Sequence, residues 1–269
     1  MNFCEQFLKR SCERDKDDPM ITALGVIPAR YGSTRLPAKP LHKIQGRPLL
    51  EWVIRGVKSA KSLSELIVAT DHAQIADLAE SLGVRAVMTD PNLPSGSDRV
   101  WAAAQEVSAD VVLNIQGDEP LIEPFWVDRL VEVFTRKPHV TMATLAHRLP
   151  PDELEEKGTV KLITNQQGEA IYFSRFAIPY SREGMDKWPG TALKHIGLYA
   201  YRKDFLRQFC AQKPTALEKA ESLEQLRALW LGAKIQVVEI EGMSIGVDMP
   251  SDAEKVEQIL KARSKKEGK

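Results

Sequence analysis

Between residues 21 and 120 the chain alternates apolar runs with amphipathic ones, and this alternation constrains the fold more than any other feature. "ITALGVIPA" reads as a buried strand and "PLLEWVIRGVKSA" as a helix, with Pro48 suited to its first turn. "ELIVATD" is the next strand, "AQIADLAESLG" the next helix with Gly83 at its end, and "RAVMTD" a further short strand. "SDRVWAAAQEV" is helical, and "ADVVLNIQGDEP" is an apolar strand that ends in a polar elbow. Strands spaced by helices predict βαβ units and a parallel sheet. Their continuous apolar character predicts a sheet covered on both faces.

After residue 140 the rhythm changes. "VTMATLAHRL", "GTVKLITNQQGEAIYFSR" and "KHIGLYAYR" are strand-like, with Gly168 marking a hairpin turn. "ALEKAESLEQLRALWLG" reads as one amphipathic helix, followed by strand "KIQVVEIE" and the helix start "MPSDAEKVEQILKAR". The predicted architecture is an α/β, doubly wound, mostly parallel core over residues 20–269, with a β-rich layer inserted at about 140–210. Residues 1–19 form a short extension, disordered or loosely helical, or else lie upstream of a natural start at Met20. They are assigned no chemistry.

Lys+Arg and Asp+Glu both total 37, so the net charge is zero and a global basic field for nucleic acid is excluded. Any anion site must be local. Cys4, Cys12 and Cys210 form no CxxC pair, which suits a reducing, cytoplasmic setting. No apolar run approaches the ~20 residues that span a bilayer, and no signal-peptide core is present.

A local anion site is visible at once. "GVIPARYGSTRLPAKP" puts Arg30, Arg35 and Lys39 on a Gly/Pro-punctuated loop straight after the first strand. Ligands of open α/β sheets bind beyond the carboxyl ends of strands, where arginine forks and a lysine point charge suit phosphate. A solvated basic loop is the competing reading. There is no G-x-x-x-x-G-K-[ST] and no G-x-G-x-x-G, which argues against a P-loop ATPase or a dinucleotide dehydrogenase. Asp118 and Asp248 each follow a predicted strand and are the candidates for an oxygen-ligated Mg²⁺, although either could instead cap a helix or form a turn. In "PSGSDR" the backbone of Ser95 and Gly96, with Arg99, could hold a base or ribose; the alternative is Ser97 as a helix N-cap. His195 sits on an apolar strand and could be structural. Glu224 and Gln225 could equally be the wet face of a helix packed through Leu223, Leu226 and Trp230.

Nine motifs in order, "IPARYGSTRLPAKPL", "IVATDH", "SGSDR", "NIQGDEP", "MATLA", "YFSRFAIPY", "KHIGLYAYR", "LEQLRALW" and "GVDMPSD", run from about residue 22 to 262. Together they resemble the 3-deoxy-manno-octulosonate (Kdo) cytidylyltransferases, the CMP-Kdo synthetases of lipopolysaccharide assembly. The resemblance implies a nucleotide-diphospho-sugar transferase-like fold and a homodimer formed through the inserted layer. It also implies transfer of CMP from CTP to Kdo, with no nucleic-acid or membrane partner. By family position Pro28, Ala29, Arg30, Ser33, Arg35 and Lys39 would hold the nucleotide phosphates, with Ser95, Gly96 and Arg99 near the cytidine. Asp118 and Asp248 would carry Mg²⁺, and Arg30, Arg35, Lys39 and Asp118 would form the catalytic set. Gln116, Arg175, His195, Tyr199, Glu224 and Gln225 would line the sugar pocket, Arg175 and His195 facing the sugar carboxylate. This chain departs from the family by having Ser97-Asp98 where Thr-Glu is frequent, and Ala38 where Gly is frequent.

Rival readings are a relative acting on 8-amino-3,8-dideoxy-Kdo or another ulosonic acid, and a catalytically silent nucleotide-sugar binder. Retention of both aspartates and all three loop cations speaks against the silent binder.

Overall fold

The computed structural model describes residues 21–33, 36–184, 188 and 190–267. The N-terminal extension and Arg35, one of the three loop cations, lie outside the described residues.

Strand β1 (Ala23–Ala29) shows why the sheet needs cover on both sides. Ala23, Ile27 and Ala29 enter one apolar core, while Leu24 and Val26 enter another. That is the period-two alternation of a strand with no wet face. A two-stranded ribbon follows, β2 (Lys43–Ile44) with β3 (Arg47–Pro48), and then α1 (Leu49–Val57). Next come β4 (Glu65–Thr70), α2 (Ala73–Ser81), β5 (Arg85–Met88), α3 (Gly96–Ala104), β6 (Val111–Asn114) and α4 (Pro124–Arg136). β6 and β4 flank β1 in parallel, and β5 joins β4 in parallel, so the predicted βαβ core is present.

The second half comprises β7 (Met142–Arg148), β8 (Lys161–Thr164), β9 (Ala170–Ser174), β10 (Leu193–Arg202), α5 (Lys203–Ala211), α6 (Ala216–Glu221), α7 (Gln225–Trp230), β11 (Ile235–Glu239) and α8 (Pro250–Glu267). The main path runs β11-β7-β10-β6-β1-β4-β5. β10 is antiparallel to both β6 and β7, and β11 is parallel to β7. Of the β-rich stretch expected at 140–210, β7 and β10 thus carry the main sheet onward. β8 and β9 stand off it as a ribbon on the first residues of β10.

Helices α1 and α4 cover one face through Leu50, Val53, Ile54, Trp126, Leu130 and Phe134. Helices α3, α5 and α7 cover the other through Val100, Ala103, Phe205, Phe209 and Leu226. A smaller core joins Val256 and Leu260 of α8 to Ile44, Leu49, Leu121 and Val247. It ties the C-terminal helix to the elbow after β6, and that tie brings Asp248 beside Asp118.

The single helix expected over 216–232 is two. Ser222 takes a left-handed conformation (φ 52°, ψ 50°) between α6 and α7. Such backbone costs a non-glycine residue about 1 kcal/mol. What offsets it is a buried ion pair across the break: Arg227 donates to both oxygens of Glu218, at 3.0 and 2.8 Å. Thr215 and Glu218 also form a reciprocal capping box at the start of α6. The kink turns the first residues of α7 toward the strand ends.

Candidate functional site

The loop after β1 is pinned at both ends. Asp71, just past β4, accepts the Tyr31 backbone N–H at 2.8 Å, and the Tyr31 ring stacks on His72 with centroids 3.8 Å apart. Arg30 stands exposed at the cleft mouth, and Ser33 Oγ accepts from Leu36 N at 3.4 Å. At the far end Ala38 adopts φ 48°, ψ 40°, and the chain turns there into a short 3₁₀ segment beginning at Lys39. Lys39 Nζ lies 2.6 Å from Asp118 Oδ2 and 3.0 Å from Asp248 Oδ1. Burial alone would lower the lysine pKa, but the two carboxylates outweigh it and hold it above its ordinary value. At the start of α8, Asp252 accepts from the backbone N–H of Asp248 and Met249. Asp248 lines the cleft with one oxygen on Lys39.

Across from this loop, α3 begins at Gly96. The N-cap is Ser95, not Ser97: Ser95 Oγ accepts from Asp98 N at 3.2 Å. Ser97 is buried in the first turn, where its hydroxyl donates to Glu224 Oε2 at 2.6 Å. Arg99 lines the cleft but is only 3% exposed, and its guanidinium pairs with Asp71 at 3.2 Å and donates to the Thr89 hydroxyl. It therefore holds the element that holds the basic loop. A cleft of about 440 Å³ opens among Pro28, Ala29, Arg30, Ser33, Lys39, Ser95, Gly96, Arg99, Gln116, Asp118, Glu224 and Asp248.

A second cleft, about 970 Å³, adjoins it. The two share Gly96, Gln116, Asp118, Glu224 and Asp248. Arg175, His195, Tyr199 and Gln225 line only the second, so every described site residue expected from the sequence opens on one cleft or both. Gln116 donates to Asn114 Oδ1 at 3.0 Å. Gln225, 2% exposed, accepts from the Tyr199 hydroxyl at 3.2 Å, while its own Nε2 is buried with no partner. An orphaned amide donor on a cleft wall is costly unless a ligand satisfies it. Burial raises the Glu224 pKa against the lowering effect of the Ser97 hydroxyl.

Two of these side chains, both expected to face the sugar carboxylate, sit in well-defined settings. Burial pushes the His195 imidazole down to about 3, so it is neutral. Its Nε2 lies 3.0 Å from Thr144 Oγ1, which also sits 2.9 Å from the Leu198 carbonyl oxygen and 3.3 Å from that of Ile196. A neutral ring has one donor and one acceptor nitrogen, so it can meet a sugar hydroxyl but brings no charge to a carboxylate. Arg175 spends its guanidinium on backbone: Nε on Glu221 O at 2.8 Å and the two amino groups on Lys157 O and Ser222 O at 3.2 and 3.4 Å. It is fixed in place, with two N–H groups left over.

Sequence reasoning missed Asp71, Glu119 and Lys194. Asp71 sits in "IVATDH", where a carboxylate directly after a strand was the available signal. Glu119 lines the second cleft and accepts from Ser244 Oγ at 2.7 Å. Burial, reinforced by the Asp118 charge, pushes its carboxyl up to about 7. Lys194 also lines the second cleft, paired with Glu153 at 2.6 Å. Its signal was its place beside His195.

Two adjoining clefts at the strand ends of a mostly parallel sheet, one cationic and one polar, joined by a pair of carboxylates, define an α/β nucleotidyltransferase. Residues 24–235 match the family model described as cytidylyltransferase. A 3-deoxy-manno-octulosonate cytidylyltransferase of Bdellovibrio bacteriovorus is 52% identical, covering 89% of this chain and 98% of its own. One from Acidobacterium capsulatum is 44% identical, covering 91% and 99%. Among solved structures, a CMP:2-keto-3-deoxy-manno-octonic acid synthetase complexed with CTP superposes with a TM-score of 0.85 at 39% identity, covering 90% of this chain and 99% of that one. The chain belongs to the cytidylyltransferase family and, within it, to the 3-deoxy-manno-octulosonate cytidylyltransferases.

Proposed function

We propose that this protein transfers CMP from CTP to Kdo, giving CMP-Kdo and pyrophosphate. The observation that carries the reading is the junction of the two clefts at Asp118 and Asp248. CTP occupies the smaller cleft and Kdo the larger. The anomeric hydroxyl oxygen of Kdo forms a bond to the α-phosphorus as the bond from that phosphorus to the bridging oxygen breaks. Pyrophosphate leaves with the electron pair, and the hydroxyl proton passes to solvent. The protein contributes orientation and charge. Arg30, with Arg35 and Lys39, neutralises the triphosphate, and Ser95 and Gly96 border the nucleoside. The neutral His195 ring meets a sugar hydroxyl, and the spare N–H groups of Arg175 take the carboxylate.

Mg²⁺ belongs to this reading. Asp118 and Asp248 converge on one cationic group, and their donors are oxygens. Two carboxylates with substrate oxygens and water fit Mg²⁺. When bound it would add positive charge beside the α-phosphate.

A two-fold homodimer is proposed with it, supported by Ile171, Phe176 and Tyr180, which are exposed on and after β9 at 55, 74 and 85%. The "KHIGLYAY" segment is not part of that surface, because Ile196, Leu198 and Ala200 are buried in the main sheet. Among the described residues no helix is long and apolar enough to cross a membrane, and Cys210 is a free thiol, in keeping with action in the cytoplasm. Initial rates of CTP-dependent phosphate release, coupled through pyrophosphatase, test the sugar assignment with Kdo and 8-amino-Kdo side by side. The expected result is a higher kcat/KM for Kdo. A clear preference for the amino sugar would replace the substrate while keeping the reaction.

A further inference from the structure

Asp118 and Asp248, which the reading above reserves for a divalent cation, are already bridged by a cation of the protein's own. One oxygen of each carboxylate engages the same Lys39 ammonium, at 2.6 and 3.0 Å. The Lys39 and Asp118 side chains are only 19 and 27% exposed, so solvent screens that contact weakly, while Asp248 is 42% exposed and its contact is screened more. Both are charge-assisted hydrogen bonds, the stronger kind. An ammonium and a divalent ion cannot share the same two oxygens, because like charges at contact distance repel.

We infer that Lys39 is the resident counter-ion of the Asp118–Asp248 pair in the nucleotide-free protein, and that nucleotide, not metal, relieves it. This rests on the proposed metal role of the two aspartates. The triphosphate offers the lysine acceptors of higher charge, within reach of a flexible four-carbon stem rooted in the same cleft. Once the ammonium turns to phosphate, the Asp118–Asp248 pair sheds the cation that bridges it and metal affinity rises. Metal alone therefore binds weakly, and nucleotide and metal promote each other's binding by linkage. The protein avoids holding a divalent ion in an empty site, and the metal joins when the phosphates it serves are present.

The test uses the full chain without nucleotide and Mn²⁺ as probe, with free Mn²⁺ read by electron paramagnetic resonance. Wild type, Lys39→Met, Asp118→Asn and the Lys39→Met/Asp118→Asn double variant are compared, with circular dichroism as the folding control. The expected result is at least tenfold tighter Mn²⁺ binding by Lys39→Met than by wild type, with that gain lost in the double variant. Wild type binding Mn²⁺ as tightly as Lys39→Met, with Asp118→Asn abolishing it, would overturn the inference and leave the metal role standing. Failure of every form to bind Mn²⁺, even with CTP added beyond what CTP alone binds, would overturn both. If Lys39→Met does not fold, Lys39→Gln, which keeps a polar donor without the charge, carries the same comparison and the same outcomes.

Discussion

Ala38 shows how much one backbone conformation can mean. Its φ of 48° is left-handed, the region glycine enters at no steric cost, and glycine is what the resembling family often has there. Ala38→Gly is therefore predicted to stabilise the protein by about 0.5–1 kcal/mol, read as a rise in urea midpoint at unchanged slope. A loss of stability would contradict the strain. His195 makes a prediction about pH. Its folded pKa near 3 lies below the ordinary 6.5, so the folded state binds fewer protons between those values. Stability is then complete above about pH 6.5 and is lost as pH falls from there toward 3. Between about pH 7.5 and pH 5 the wild type should lose about 1–2 kcal/mol more than His195→Gln, discounted because the ring edge opens on the cleft. Equal losses in urea titrations at the two pH values would refute a buried neutral ring. Glu119 accepts from Ser244, four residues before Asp248: Glu119→Ala removes that contact, so turnover should fall tenfold or more, while Glu119→Gln keeps an acceptor and most activity. Indistinguishable kcat values for the two variants would count against that tether. Asp118 and Asp248 were legible in the sequence because each follows a strand. The roles of Asp71 and Glu119 were not, since each acts through a residue distant in sequence, Arg99 or Ser244.

The elements that carry the site approach each other closely, and Gly117 marks where. A Cβ on Gly117 would lie 3.0 Å from the Pro28 carbonyl oxygen, so the elbow bearing Asp118 abuts the end of β1 directly. Gly117→Ala is predicted to push the basic loop from Asp118, costing about 1–2 kcal/mol and raising the KM for CTP more than that for Kdo. A well-behaved variant with both KM values unchanged would show that the contact has slack. The strands and helices of the first half were readable because local pattern and tertiary placement agree there. The α6–α7 break was not: "AESLEQ" holds no glycine or proline, and the kink answers to the Glu218–Arg227 pair, a tertiary contact. That same break explains why Glu224 and Gln225, expected on a wet helix face as one option, open on the clefts instead.

For the molecule as a whole, strand order was the least legible property, because hydrophobic patterning marks β10 as a strand without saying that it runs antiparallel between β6 and β7. The chain's mass of 30.1 kDa should double in solution if the exposed aromatic surface after β9 is a dimer face, and Phe176→Glu should return it to a monomer. Light scattering that finds a wild-type monomer at micromolar concentration would rule out that assembly. The proposed reaction requires the two clefts to bring the anomeric hydroxyl of Kdo to the α-phosphorus of CTP, which phosphorus NMR of a mixture of enzyme, CTP, Kdo and Mg²⁺ follows atom by atom. One phosphodiester resonance of CMP-Kdo should grow in step with one equivalent of pyrophosphate, and neither should appear with Asp118→Asn. Pyrophosphate without the phosphodiester, or an unchanged CTP spectrum from folded wild-type protein, would contradict that reaction.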